Sequence, residues 1–139
     1  VRSRRQRQMC IRDRGGTLRE HQPRRVVVGS REVPEGNLTR LGFEQYATPA
    51  EALEALWETG ARDVLVEGGA ALAASFLELD LVDAVHAYIA PALLGAGRGV
   101  LDRAIAGTIA DARRFRTTLV RPVGNDVFIE MERDVYGTR

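Results

Sequence analysis

Lysine is missing from this chain of 139 residues, and all 20 of its basic side chains are arginines. That reads as codon bias from a GC-rich genome rather than as chemistry. One cysteine, Cys10, excludes an intramolecular disulfide and a cysteine-based metal cage. Two histidines, His21 and His86, lie too far apart to give metal-ligand spacing, so no metal is expected. No apolar run approaches the length that spans a bilayer, and no membrane partner is expected. The arginine-rich start has no apolar stretch behind it and does not look like a secretion signal, which leaves a cytoplasmic location as the expectation. The dinucleotide fingerprint Gly-x-Gly-x-x-Gly does not occur.

What is present fits one ordinary globular domain: 45% apolar and 28% charged residues, enough chain for a real core. The formal net charge of +1 hides an asymmetry. Six arginines and Asp13 give residues 1–14 a net of +5, which leaves the remainder at −4. A mildly acidic body does not suggest a nucleic-acid surface. Residues 1–14 have no apolar periodicity, and three readings apply to them: a basic arm, a disordered tail, or sequence foreign to the protein. The string Arg4-Arg5-Gln6-Arg7-Gln8-Met9-Cys10-Ile11-Arg12-Asp13 resembles translated sequencing-adapter read-through. The preferred expectation is therefore a non-native tail over 1–14 and a natural domain over 15–139, with residues missing upstream.

Along the body, residues 24–30 form a β-branched run closed by Gly29-Ser30, a buried strand by pattern. Residues 31–42 hold Pro34, Gly36, Asn37 and Gly42 and read as loop; 43–47 read as a short strand. Thr48-Pro49-Ala50-Glu51 opens a helix with a cap, a first-position proline and a glutamate three residues on, and Gly60 closes it. Its apolar stripe is Ala52, Leu53, Leu56 and Trp57. Residues 63–67 read as strand, 70–79 as helix, and 83–90 as a strand in which Val85, Ala87 and Ile89 alternate with His86, Tyr88 and Ala90. A glycine-rich loop follows Pro91, and 104–112 are ambiguous. Residues 115–122 and 126–134 read as strands of a hairpin around Val123-Gly124-Asn125. Alternating strands and helices followed by consecutive strands indicate an α/β fold with a mostly parallel sheet and an antiparallel C-terminal edge.

The most informative stretch is Val64-Leu65-Val66-Glu67-Gly68-Gly69-Ala70-Ala71-Leu72-Ala73-Ala74-Ser75-Phe76. An apolar run delivers one carboxylate, two glycines turn the chain, and a helix begins. Glycines there admit close approach of a ligand, and free N–H groups of the first helical turn favour an anion such as phosphate. Glu67 stands at the carboxyl end of the expected strand, where open α/β sheets bind ligands. The same Gly-Gly pair also serves as a plain turn, and Glu67 as a surface carboxylate or salt-bridge partner.

Several motifs are spaced as in a known family. They are Leu65-Val66-Glu67-Gly68-Gly69-Ala70-x-Leu72-Ala73, Phe76-Leu77, Leu81-Val82-Asp83 and Ala87-Tyr88-Ile89-Ala90-Pro91-x-Leu93-Leu94-Gly95. With Gln22-Pro23-x-Arg25-Val26-Val27-Val28-x-Ser30 before them and Val123-Gly124-x-Asp126-Val127 after, they resemble the C-terminal reductase domain of riboflavin biosynthesis. The resemblance covers essentially residues 22–131. It implies a dihydrofolate-reductase-like fold and NADPH-dependent reduction of the ribosyl group of 5-amino-6-(5-phosphoribosylamino)uracil to ribityl.

By the same resemblance, Glu67 contacts the phosphorylated pyrimidine substrate. Gly68, Gly69, Ala70, Ala71, Leu72, Ala73, Ala74 and Ser75 hold NADPH phosphates, and Ser30 touches the cofactor. Without it, Ser30 reads as a strand-ending turn residue. No catalytic nucleophile is assigned, since the hard step belongs to the cofactor. Residues 88–91 and 93–95 are expected in core and dimer packing, and a homodimer is expected of the full-length protein. The family's first strand, its next helix and an Asp-Asp-Pro-like loop lie ahead of the position matching Gln22. The fold is thus expected to be incomplete at its N-terminus and the 139-residue chain to have little activity alone. Two alternatives stay open: a related oxidoreductase with another pyrimidine or pterin substrate, and a non-catalytic nucleotide-binding module.

Overall fold

A computed structural model describes residues 23–133, Arg98 excepted. The expected non-native tail over 1–14 lies outside the described residues. The chain divides into two compact units at Val64/Leu65, and each is described in its own frame.

In the first unit, β1 (Val26–Val28) and β2 (Glu44–Tyr46) pair in parallel, with Val26 opposite Glu44 and Val28 opposite Tyr46. Parallel neighbours need a crossover. The crossover contains α1 (Asn37–Leu41), where the sequence pattern indicated only loop. Its start is fixed by a side chain inside the helix. The Thr39 hydroxyl accepts from the Gly36 N–H and donates to the Gly36 carbonyl, both at 2.9 Å. Helix α2 (Pro49–Glu58) packs on both strands. Thr48 Oγ1 accepts from the Glu51 N–H at 3.3 Å, and the Glu51 carboxylate accepts from the Ala47 N–H at 3.1 Å. The helix closes in a Schellman motif: Gly60 takes φ 91°, its N–H reaches the Trp57 carbonyl at 3.0 Å, and the Ala61 N–H reaches Leu56 at 2.9 Å.

Ala52 and Leu56 are buried as the stripe requires. Trp57 is not: it is 64% exposed, with the Arg62 guanidinium 4.0 Å from its ring centroid. Arg24 ties the unit together at its polar edge, giving Glu44 two hydrogen bonds of 2.8 and 2.6 Å and Thr59 a third of 2.5 Å. The Arg24 hydrogen bond, with a second from the Tyr46 hydroxyl, holds the Glu44 carboxyl below its usual range.

In the second unit, α3 (Ala70–Glu78) is followed by an antiparallel sheet ordered β3-β5-β4, built from Ala84–Ile89, Asp126–Arg133 and Phe115–Val123. The β4/β5 hairpin turns through Gly124-Asn125, with Val123 opposite Asp126. The expected antiparallel C-terminal edge is this sheet, and the parallel component is the β1/β2 pair. Phe128 is the buried ring of the sheet; Tyr88 lies 4.8 Å from it and His86 5.4 Å edge-on. The ambiguous 104–112 segment contains one 3-10 turn, Ile109–Asp111. Residues 63–67, expected as strand, join no strand ladder among the described residues, and Val64 and Leu65 are exposed. A β-branched run records a preference for extended backbone, but only a neighbouring ladder makes it a strand. Leu93 and Leu94, expected in packing, are fully exposed.

Removing the α2 cap tests the first unit. Thr48→Ala is expected to lower stability by about 1 kcal/mol, measured by urea unfolding.

Candidate functional site

The turn into α3 is held by one close approach. A Cβ at Gly68 would fall 2.6 Å from Leu72 Cβ and 2.4 Å from Leu72 Cδ2. Leu72 Cβ cannot swing away without moving the helix, so only glycine fits at 68. Gly69 differs. It caps the helix in extended backbone, φ −71° and ψ −177°, and a Cβ there would meet nothing within 4 Å. The first glycine is required by the protein's own packing, and the second faces open space.

The two ends of α3 are treated differently. At the N-terminus there is no side-chain cap and no acidic residue in the first turn. The N–H groups that begin a helix have no partner within it and carry the positive end of its dipole. At the C-terminus, Leu81 and Asp80 donate back to the Phe76 and Leu77 carbonyls at 3.0 and 3.2 Å, a Schellman motif with Asp80 in the left-handed position, φ 59°. Arg133 holds that strained residue by its carboxylate at 3.1 Å and by its carbonyl. Arg113 donates to the Leu77 carbonyl at 3.3 Å. A fixed carbonyl end therefore backs an amide end with no side-chain cap among the described residues, which suits an anion and no cation.

The expected cradle of residues 68–75 narrows on this geometry. The Ala73 N–H already donates to the Gly69 carbonyl at 3.1 Å, so donors for a ligand end at Leu72. Ala74 is wholly buried. The Ser75 hydroxyl donates to the Ala71 carbonyl and accepts from Arg103, both at 3.1 Å. Ala73, Ala74 and Ser75 thus pack and orient the helix, while Gly69, Ala70, Ala71 and Leu72 present its amides. Glu67 is exposed immediately before the turn. Ser30 belongs to the other unit. It is exposed at the carboxyl end of β1, in a bend whose Gly29 and Arg31 carbonyls accept from Gln45 Nε2 at 2.7 and 2.9 Å.

Arg103 is the participant that sequence reasoning missed. Its guanidinium grips Glu78 at 3.0 and 2.5 Å and Asp102 at 2.9 Å besides reaching Ser75. It lies 25 residues from Glu78, and no local pattern announces such a pairing. The Arg103 hydrogen bond holds the Glu78 carboxyl below its usual range. Among the described residues, no three His, Cys, Asp or Glu side chains gather as metal ligands, and no helix is long and apolar enough to cross a membrane.

Comparison with known proteins follows the same residues. The RibD C-terminal domain matches residues 2–129. The riboflavin biosynthesis protein RibD of Corynebacterium ammoniagenes is 56% identical over 102 residues, 70% of this chain and 30% of that protein. Among solved structures, Acinetobacter baumannii RibD superposes with a TM-score of 0.65 at 24% identity, over 84% of this chain and 41% of the other. A Thermotoga maritima diaminohydroxyphosphoribosylaminopyrimidine deaminase/5-amino-6-(5-phosphoribosylamino)uracil reductase gives 0.61 at 23% identity, over 82% and 32%. The chain spans about a third of the length of the curated relatives it matches.

The two glycines separate by mutation. Gly68→Ala is expected to destabilise by about 1–3 kcal/mol through overpacking, whereas Gly69→Ala changes stability by less than about 0.5 kcal/mol; paired thermal melts decide it. Lowered in the folded state, the Glu78 pKa adds stability above the unfolded carboxyl value of about 4.3 and loses it as pH falls through the folded value. Arg103→Ala should therefore lower the melting temperature at pH 7 and lose that effect at low pH.

Proposed function

The chain belongs to the RibD C-terminal domain family, and on that premise we propose that it is part of a reductase of riboflavin biosynthesis. In this reading it uses NADPH to reduce the ribosyl group of 5-amino-6-(5-phosphoribosylamino)uracil to ribityl. The observation that carries the proposal is the start of α3: amides without a side-chain cap, no acidic residue in the first turn, and open space at Gly69. A nicotinamide dinucleotide is anionic at its phosphates, and this donor set fits it. Gly69, Ala70, Ala71 and Leu72 would hold a phosphate through backbone N–H groups. The cofactor role of Ser30, in the other unit, rests on the family resemblance alone: its hydroxyl can donate or accept toward ribose or phosphate.

When bound, the cofactor supplies hydride, which the side chains of this chain cannot. The protein's part is to position and to exclude water. Glu67, exposed beside the turn, would accept a hydrogen bond from a substrate hydroxyl and fix the sugar for reaction at C1′. Residues 68–72 set where that carboxylate stands relative to the phosphate amides, with Gly68 packed closely against Leu72. A cytoplasmic location and a homodimer of the full-length protein belong to the same proposal.

The test is turnover by the full-length enzyme on the aminouracil phosphate against dihydrofolate. Activity on the first supports the proposal, and activity confined to the second overturns the substrate. Glu67→Gln is expected to lower kcat about tenfold to a hundredfold, and unchanged turnover would remove Glu67 from the site.

A further inference from the structure

The Arg103–Ser75 pair has a geometric consequence at the other end of α3. Nη2 of Arg103 donates to Ser75 Oγ at 3.1 Å, which leaves the hydroxyl proton to go elsewhere. It goes to the Ala71 carbonyl at 3.1 Å. That carbonyl already stands where the helix's own Ser75 N–H bonds, four residues back. A serine hydroxyl added to an i−4 carbonyl tilts it outward and bends the helix locally.

The Ala71 carbonyl and the Leu72 N–H belong to one planar peptide unit and point in opposite directions along the axis. Whatever fixes the carbonyl fixes the amide. The Leu72 N–H is the last of the first-turn donors, since the Ala73 N–H is already taken by Gly69. The guanidinium itself has little freedom, being held by both Glu78 oxygens and by Asp102.

We propose that Arg103 is a positioning residue for the cofactor: through the Ser75 hydroxyl and the Ala71 carbonyl it orients the Leu72 amide toward the phosphate. The proposal rests on the cofactor reading above, but one of its readouts needs no cofactor. Arg103 lies in the segment that follows the glycine-rich loop, so the relay links that segment to the phosphate end of α3.

The test is a double-mutant cycle with Arg103→Ala, Ser75→Ala and the pair, in the full-length protein. Amide chemical shifts of Gly69, Ala70, Ala71 and Leu72 are recorded without ligand, and NADPH is then titrated by its fluorescence. Each single variant is expected to move the Leu72 amide and to weaken NADPH binding about three- to tenfold. The double variant is expected to be no weaker than the worse single, because both changes break one relay.

Losses that multiply in the double variant, or NADPH binding untouched by Arg103→Ala, overturn the inference and leave the cofactor reading standing. A melting-temperature drop without movement of the Leu72 amide makes Arg103 a stability residue only and also overturns it. Failure of the full-length parent protein to bind NADPH overturns the cofactor reading, and the inference falls with it. A parent that binds, with the Leu72 amide displaced in both single variants and non-additive affinities, supports the relay.

Discussion

An α-helix cannot satisfy its own ends, and α3 resolves this unequally. Its carbonyl end is finished by the chain's return through Asp80 and Leu81, with Arg113 donating to the Leu77 and Glu78 carbonyls and Arg133 to that of Asp80. Its amide end has no side-chain cap. Helix α2 shows that the sequence can cap a helix when it needs to, because Thr48 and Glu51 do it there with side chains alone. The difference between the two helices is a difference of task. One is a strut across a parallel strand pair, and the other keeps its positive end available. The glycine turn, the arginines at the far end and the relay through Ser75 all take their meaning from that one uncapped terminus.

The local devices were legible in the sequence. The cap, proline and glycine of α2, the run-turn-helix around Gly68-Gly69 and the Gly124-Asn125 hairpin each lie within a few residues, and backbone sterics restrict the choices there. Long-range matters were not. Arg103 meeting Glu78, and Arg133 meeting Asp80, are choices of partner across 25 and 53 residues. Each arginine looks the same in sequence, and in a chain whose only basic side chain of full charge is arginine, composition cannot single out the two that matter. Trp57 misled for a related reason. Periodicity placed it on the apolar stripe, but it is largely exposed with Arg62 stacked on its ring. The short helix α1 was hidden because its organising residue, Thr39, lies inside the helix instead of ahead of it.

Residues 63–67 mark the boundary between these cases. Their β-branched pattern is real, yet a strand is a property of two chains of hydrogen bonds, and one chain's sequence states only half of it. The start of α3 was read from the same place because a helix terminus needs no partner strand to be what it is. Its donors are set by residues 69–72 alone.

Gly68 and Gly69 carry this argument to its limit. In the sequence they are two copies of one letter, and each was assigned to the same cradle. In the fold one is pressed against Leu72 and the other against nothing. A side chain at 68 would collide with the protein, whereas a side chain at 69 would meet nothing within 4 Å among the described residues. An anion-binding turn built from backbone has no reactive group to recognise it by, so an empty space kept open next to a fixed amide is the strongest sign such a site can give. On the proposed reading, the open position and the exposed Glu67 flank Gly68, so a phosphate on the amides and a polar substrate group at the carboxylate would meet at one turn.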